Sequence, residues 1–123
     1  MIATKMVREM KVSRGDVLMV NLGEGESPDS IVVRGERPAL VVQNDVANKH
    51  SPVTIIAPIT TTNKRIPVFI KIMPEESGLP RLSYVNCGNI LTIDNRQILS
   101  KEGHLSKDVM ERVAEGLRVS IGL

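Results

Sequence analysis

Tryptophan is absent from this 123-residue chain, and the aromatic side chains number two, Phe69 and Tyr84. Proteins that hold single-stranded nucleic acid without sequence preference stack bases on several rings, so any nucleic-acid role here leans on charge and hydrogen bonds. One cysteine, Cys87, cannot staple its own chain, and nothing around it offers the thiolates of a structural zinc site. It reads as a small buried strand residue rather than a nucleophile. No apolar run approaches the ~20 residues of a membrane-crossing helix, and the opening MIATKMVREMKV lacks the apolar block of a signal peptide. Neither export nor membrane insertion is expected, and a reducing cytoplasm is the expected compartment. Histidines are as scarce as aromatics: His50 and His104 lie 54 positions apart in polar, turn-like contexts and read as incidental. A glycine-rich phosphate loop ending in Lys-Ser/Thr, a G-x-S-x-G elbow and an H-E-x-x-H pair are all missing, which leaves nucleotide hydrolysis, serine hydrolysis and metalloprotease chemistry without support.

What is present is the composition of an ordinary globular protein, 41% hydrophobic and 24% charged, at the length of a single domain spanning 1–123. Short runs rich in β-branched residues recur between turn formers: Asp16–Leu22, Ala39–Gln43, Val53–Ile59, Val68–Ile72, Leu82–Asn86 and Ile90–Asp94. Several lack clean alternation, as expected of strands covered on both faces or strongly curled. The expected fold is mainly β, a small SH3-like barrel or rolled antiparallel sheet. A C-terminal α-helix follows Ser106, where Val109, Met110, Val113, Ala114 and Leu117 repeat with helical period. Ser106 suits its N-cap, Asp108 its positive end, and Leu105 with Met110 the spacing of a hydrophobic staple. Gly23–Glu36 carries three glycines, a proline, four acids and one base, and reads as a long connection of the kind that forms lids or binding loops.

The net charge of +2 conceals an uneven distribution. Residues 1–36 sum to −1, residues 37–72 to +4 and residues 73–123 to −1. Arg37, Lys49, Lys64, Arg65 and Lys71 stand in the middle third against Asp45 alone, the balance a phosphate-facing surface requires. Within it, Arg37 precedes Pro38 and is therefore held extended at the head of an apolar strand. Twenty-three residues on, Thr60, Thr61 and Thr62 bring hydroxyls to the end of the next apolar strand. A sheet that rolls up is able to bring these two strand ends together.

Taken in order, Arg14-Gly15-Asp16-Val17, Gly35-x-Arg37-Pro38-x-Leu40-Val41-Val42-Gln43-Asn44-Asp45, Ser51-Pro52, Ala57-Pro58-Ile59-Thr60-Thr61 and Leu91-Thr92-Ile93-Asp94 closely resemble the MazF/PemK toxins of bacterial toxin–antitoxin pairs, over about residues 12–120. The resemblance implies a homodimeric endoribonuclease that cuts single-stranded mRNA at short motifs with no metal or other cofactor. It implies Arg37 and Thr60 as the catalytic pair, with attack of the ribose 2′-OH leaving a cyclic phosphate and a 5′-OH. It also implies a cognate antitoxin that inserts an acidic, partly disordered segment. Candidate RNA contacts are Lys49, His50, Thr61, Lys64, Arg65, Asn89 and Thr92. A guanidinium is a poor base at neutral pH, so Glu36 or His50 is the candidate for proton transfer. Relatives often carry Glu-Gln-Ile-Arg-Thr-Ile-Asp where this chain has Gly88-Asn89-Ile90-Leu91-Thr92-Ile93-Asp94, so a relative's cleavage motif does not transfer. The alternative is a non-catalytic module of the same fold, either an inactive toxin or a gyrase poison. The tail Ser120-Ile121-Gly122-Leu123 lacks the aromatic that a gyrase poison uses.

Overall fold

The computed structural model describes residues 10–23 and 35–123, so nearly all of the connection expected over Gly23–Glu36 lies outside the described residues. Among the described residues there are seven strands: β1 (Asp16–Asn21), β2 (Glu36–Val41), β3 (Val53–Thr60), β4 (Phe69–Ile72), β5 (Ser83–Asn86), β6 (Leu91–Asp94) and β7 (Ile98–His104). The described residues also form two short helices, α1 (Asp45–His50) and α2 (Pro74–Ser77), a 3-10 turn at Asn95–Gln97 and the C-terminal α3 (Lys107–Ile121). Every strand pairing is antiparallel, in the order β4-β5-β3-β2-β1-β7, with β6 added to β3.

The missing alternation has a direct cause. On β2, Leu40 joins one buried cluster while Ala39 and Val41 join another, and on β1 Val17 and Leu18 divide the same way. Successive side chains point to opposite faces of a strand, so a sheet rolled over two cores needs apolar residues at consecutive positions. Two register shifts between β1 and β7 add local twist to the roll. The strand ends β4 and β7 do not pair with each other. Instead α2, which follows β4, crosses β7 so closely that a Cβ on Gly78 or Gly103 would meet the carbonyl of Glu102 or of Ser77. Backbone on backbone therefore closes the roll.

Helix α3 covers the larger core with Val109, Met110 and Val113, each buried, a face that contributes roughly 1.5–3 kcal/mol per large side chain. The Ser106 hydroxyl accepts the Val109 N–H as an N-cap, and Leu105 and Met110 are both buried, as the staple spacing predicts. Gly116, costly in a helix interior, lies where a Cβ would stand 3.1 Å from both Cys87 Sγ and Ile70 Cδ1. Close packing on the sheet is what it permits.

The Arg-Gly-Asp-Val and Gln-Asn-Asp motifs are structural. Buried Asp16 accepts the Ser13 N–H at 2.8 Å and lies 2.8 Å from His104 Nδ1 and 3.5 Å from Lys101 Nζ. His104 is thus an anchor for β7. The Arg14 guanidinium donates to the Val42 carbonyl, and the Arg14 N–H donates to Asp45 Oδ1 at 2.7 Å. At the centre sits buried Asn48. Its Nδ2 donates to the Gln43 carbonyl (3.0 Å) and Asp45 Oδ1 (3.1 Å), and its Oδ1 accepts from Gln43 Nε2 (2.9 Å) and Thr54 Oγ1 (2.7 Å).

Three expectations require correction. β2 begins at Glu36 and ends at Val41, because Val42 and Gln43 turn into α1. His50 closes a helix rather than a bare turn. Cys87 is buried as expected, but it lies in the turn after β5.

Because Asn48 satisfies four groups at once, Asn48→Ala is expected to destabilise the fold by about 2–3 kcal/mol in urea unfolding, with Thr54 and Gln43 left short of partners. The Arg14 N–H and then the Asn48 amide hold the Asp45 carboxyl below its ordinary value of 3.8. A depressed carboxylate stabilises the fold above that value and loses its contribution as pH falls through the folded-state value. The stability difference between the native chain and Asp45→Asn is therefore expected to shrink in urea titrations taken below pH ~3.8.

Candidate active site and nucleic-acid interface

The β2–β3 ladder sets Ala39 against Pro58. Two residues beyond that pair, in opposite directions along the two strands, are Arg37 and Thr60. Both line one open cleft of about 560 Å³. Arg37 is exposed and fixed in extended backbone by its place in β2 before Pro38. Thr60 is half-buried at the end of β3, and its Oγ1 accepts the Thr62 N–H at 3.1 Å, which leaves its own hydroxyl hydrogen for an external acceptor. Lys64 brings a second cation to the same cleft, and Asn89 an amide.

Three lining groups were not among the candidates read from the sequence. Phe69, at the head of β4, and Ile66, 49% exposed, form an apolar wall, so one of the two aromatic residues stands at the site. Asn86 shapes the turn that presents Asn89: its Oδ1 accepts the Gly88 N–H at 3.0 Å, while Cys87 N–H bonds Val68 O at 2.8 Å. A Cβ at Gly88 would stand 3.3 Å from Val68 Cγ2, so the glycine keeps this turn tight against the cleft wall.

The other candidates divide. Lys49 and His50 line a different cleft, of about 590 Å³, with Asp94, Asn95 and Arg96. They sit at the opposite end of β3 from Thr60, so the structure does not bring them together with Arg37 and Thr60. Thr61 and Arg65 are exposed in the loop after β3, where Arg65 adopts φ +59° and its N–H bonds Asn63 Oδ1 at 2.8 Å. Thr92 is exposed midway along β6. Neither these three nor Glu36 lines the Arg37 cleft. Lys71 is on β4, its carbonyl bonded by Arg112. The +4 of the middle third is spread over several surfaces. Among the described residues no group of three or more His, Cys, Asp or Glu is placed to hold a metal ion, and no helix is long and apolar enough to cross a membrane.

Residues 13–121 match the family described as "PemK-like, MazF-like toxin of type II toxin-antitoxin system". The chain belongs to this family. It is 34% identical over 116 residues to Endoribonuclease EndoA of Bacillus subtilis, covering 93% of this chain and 97% of that protein. Its fold is similar to an endoribonuclease in complex with its cognate antitoxin from a mycobacterial species, with a TM-score of 0.76 and 27% identity over 91% of this chain and 96% of that one. It is also similar in fold to MazF from Deinococcus radiodurans, with a TM-score of 0.72 and 19% identity over 93% and 99% of the two chains. The MazF/PemK resemblance and the expected rolled β fold with a C-terminal helix both hold.

Burial pushes the Cys87 thiol up to about 11, so it is not a thiolate at neutral pH. Folded protein is expected to resist iodoacetamide at Cys87 for hours and to react fully in 6–8 M urea, measured by intact mass.

Proposed function

We propose that this toxin is an endoribonuclease that cuts single-stranded mRNA at a short sequence motif without a metal, with Arg37 and Thr60 as the catalytic residues. The observation that carries the reading is their shared cleft, two residues past the last β2–β3 pair. The 2′-oxygen of the substrate already sits beside the phosphorus, so proximity comes from the RNA itself. What the protein must supply is stabilisation of the charge on the phosphorane. The Arg37 guanidinium offers two parallel N–H donors to the phosphate oxygens, and the Thr60 hydroxyl a third, its oxygen already held by the Thr62 N–H. The 2′-oxygen forms its bond to phosphorus, the bond to the 5′-oxygen breaks, and one proton passes in net from the first oxygen to the second. A 2′,3′-cyclic phosphate and a 5′-OH result.

Lys64 supplies a further contact for a phosphate. Phe69 and Ile66 form a platform for one unstacked base, and the Asn86 and Asn89 amides face base edges. A single ring with a few amides fits reading of a short motif better than indiscriminate stacking.

The partner in this reading is a cognate antitoxin whose acidic segment covers the Arg37–Lys64 cleft, in line with the mycobacterial relative solved with its antitoxin. The reading includes a homodimer in the cytoplasm, with Val119, Ile121 and Leu123, exposed at the end of α3, as apolar surface for a second copy.

Digestion of a long unstructured RNA in EDTA, with sequencing of the fragment ends, tests the proposal. Arg37→Ala and Thr60→Val are each expected to lose about 10²–10³ in kcat with circular dichroism unchanged. Equal cutting by Arg37→Ala would overturn the assignment.

A further inference from the structure

The second cleft, at the far end of β3, takes no part in the chemistry just described. Its walls carry Lys11, Lys49, His50 and Arg96, against the single carboxylate of Asp94. That carboxylate is already met by Arg96, with Nη2 2.9 Å from Oδ2 and Nε 3.1 Å from Oδ1. Lys11 and Lys49 are exposed and make no ion pair among the described residues. Among the described residues, the cleft therefore presents an uncompensated pair of ammonium groups to whatever enters it. In its wall, Asn95 Oδ1 is a buried acceptor with no hydrogen-bond partner, although the Asn95 N–H is bound to the Pro52 carbonyl at 2.9 Å. An occupant that suits these walls is anionic and also carries hydroxyl or amino donors.

The two clefts are tied to one another by the sheet. In the β3–β6 ladder Val53 pairs with Asp94 and Ile56 with Leu91. Thr60 and Asn89 lie past one end of that ladder, and Pro52 and Asn95 past the other. Pro52 and Thr60 are eight positions apart, about 26 Å of extended chain. Exposed Thr92 lies between, on β6.

We propose that this basic cleft holds the sugar–phosphate backbone of the same RNA, in the flank several nucleotides from the cut bond. Phosphates meet Lys11 and Lys49, and a ribose 2′-OH or a base amino group is a donor of the kind that Asn95 lacks. The span lies within the ~4–16 nucleotide footprints of single-strand-binding surfaces. This inference rests on the RNA-cutting reading for the identity of the strand, and it adds a binding site remote from the chemistry.

The test uses the full chain, native and Lys11→Glu/Lys49→Glu, with two RNAs sharing the cut motif: a 6-mer centred on it and a 24-mer with unstructured flanks. Both substitutions are at exposed positions, and thermal melts check that the fold is kept. The native protein is expected to show a KM about tenfold lower for the 24-mer than for the 6-mer. The double variant is expected to lose that advantage while its kcat and its KM for the 6-mer change less than twofold. A parallel measurement uses a 24-mer with a 2′-deoxy sugar at the cut position and reads anisotropy against salt. There the slope of log K with log[salt] is expected to fall by about 1.4, two contacts at ~0.7 each for single strands. Cutting with no dependence on length, or an unchanged slope in the variant, would overturn the second site and leave the nuclease reading standing. A reduced slope with no cutting by either protein would do the reverse. An unchanged slope together with lost affinity for a 20-residue Glu-rich peptide would assign the cleft to a protein partner and overturn the RNA proposal.

Discussion

Strand β3 has to satisfy more neighbours than any other element. One edge pairs with β2 through Ile56, Ala57 and Pro58. The other is shared, first with β6 from Val53 to Ile56 and then with β5 at Ile59 and Thr60. A strand that changes partner part-way along an edge is committed to one register on both sides, because a slip of one residue would turn its buried side chains outward. Its N-terminal end is pinned by Thr54 on the Asn48 amide, so position is set at one end and delivered at the other, where Thr60 stands. The rigidity of the Arg37–Thr60 cleft is thus generated some distance from it, by a polar cluster at the other end of the strand.

This arrangement explains what was legible in the sequence. Six strands showed themselves through β-branched runs, and α3 through its cap, its staple and its period. Strand β7, Ile98–His104, was missed because Ser-Lys-Glu-Gly-His carries no β-branched residue and the strand is an edge paired across two register shifts. Helices α1 and α2, six and four residues long, are too short to display a helical period. Gln43, Asn44 and Asp45 were readable as a motif, but not as the knot they form around Asn48. That knot depends on Thr54, which lies beyond the turn.

At the site, Arg37 and Thr60 were legible because both stand at strand ends and the motif order fixes them. Lys49 and His50 stand in a different cleft from that pair, because a charge count along the chain does not know which end of β3 a residue occupies. Phe69 and Ile66 were not placed at the site for the opposite reason: apolar residues in or beside a strand look like core until the sheet has rolled. The outcome is a division of labour. Charge at the first cleft is sparse and local, apolar surface lines the rest, and a second group of cations, Lys11, Lys49 and Arg96, stands at the far end of the same strand.

The glycine crossing between α2 and β7 carries a consequence for how this fold changes over generations. Since Gly78 and Gly103 each abut the other segment's carbonyl, neither can acquire a side chain alone, nor can both together without parting the two segments. The seam is therefore frozen in composition at both of its glycines. The Thr61–Pro67 and Gly88–Ile90 turns at the first cleft lie away from the place where the roll is fastened shut.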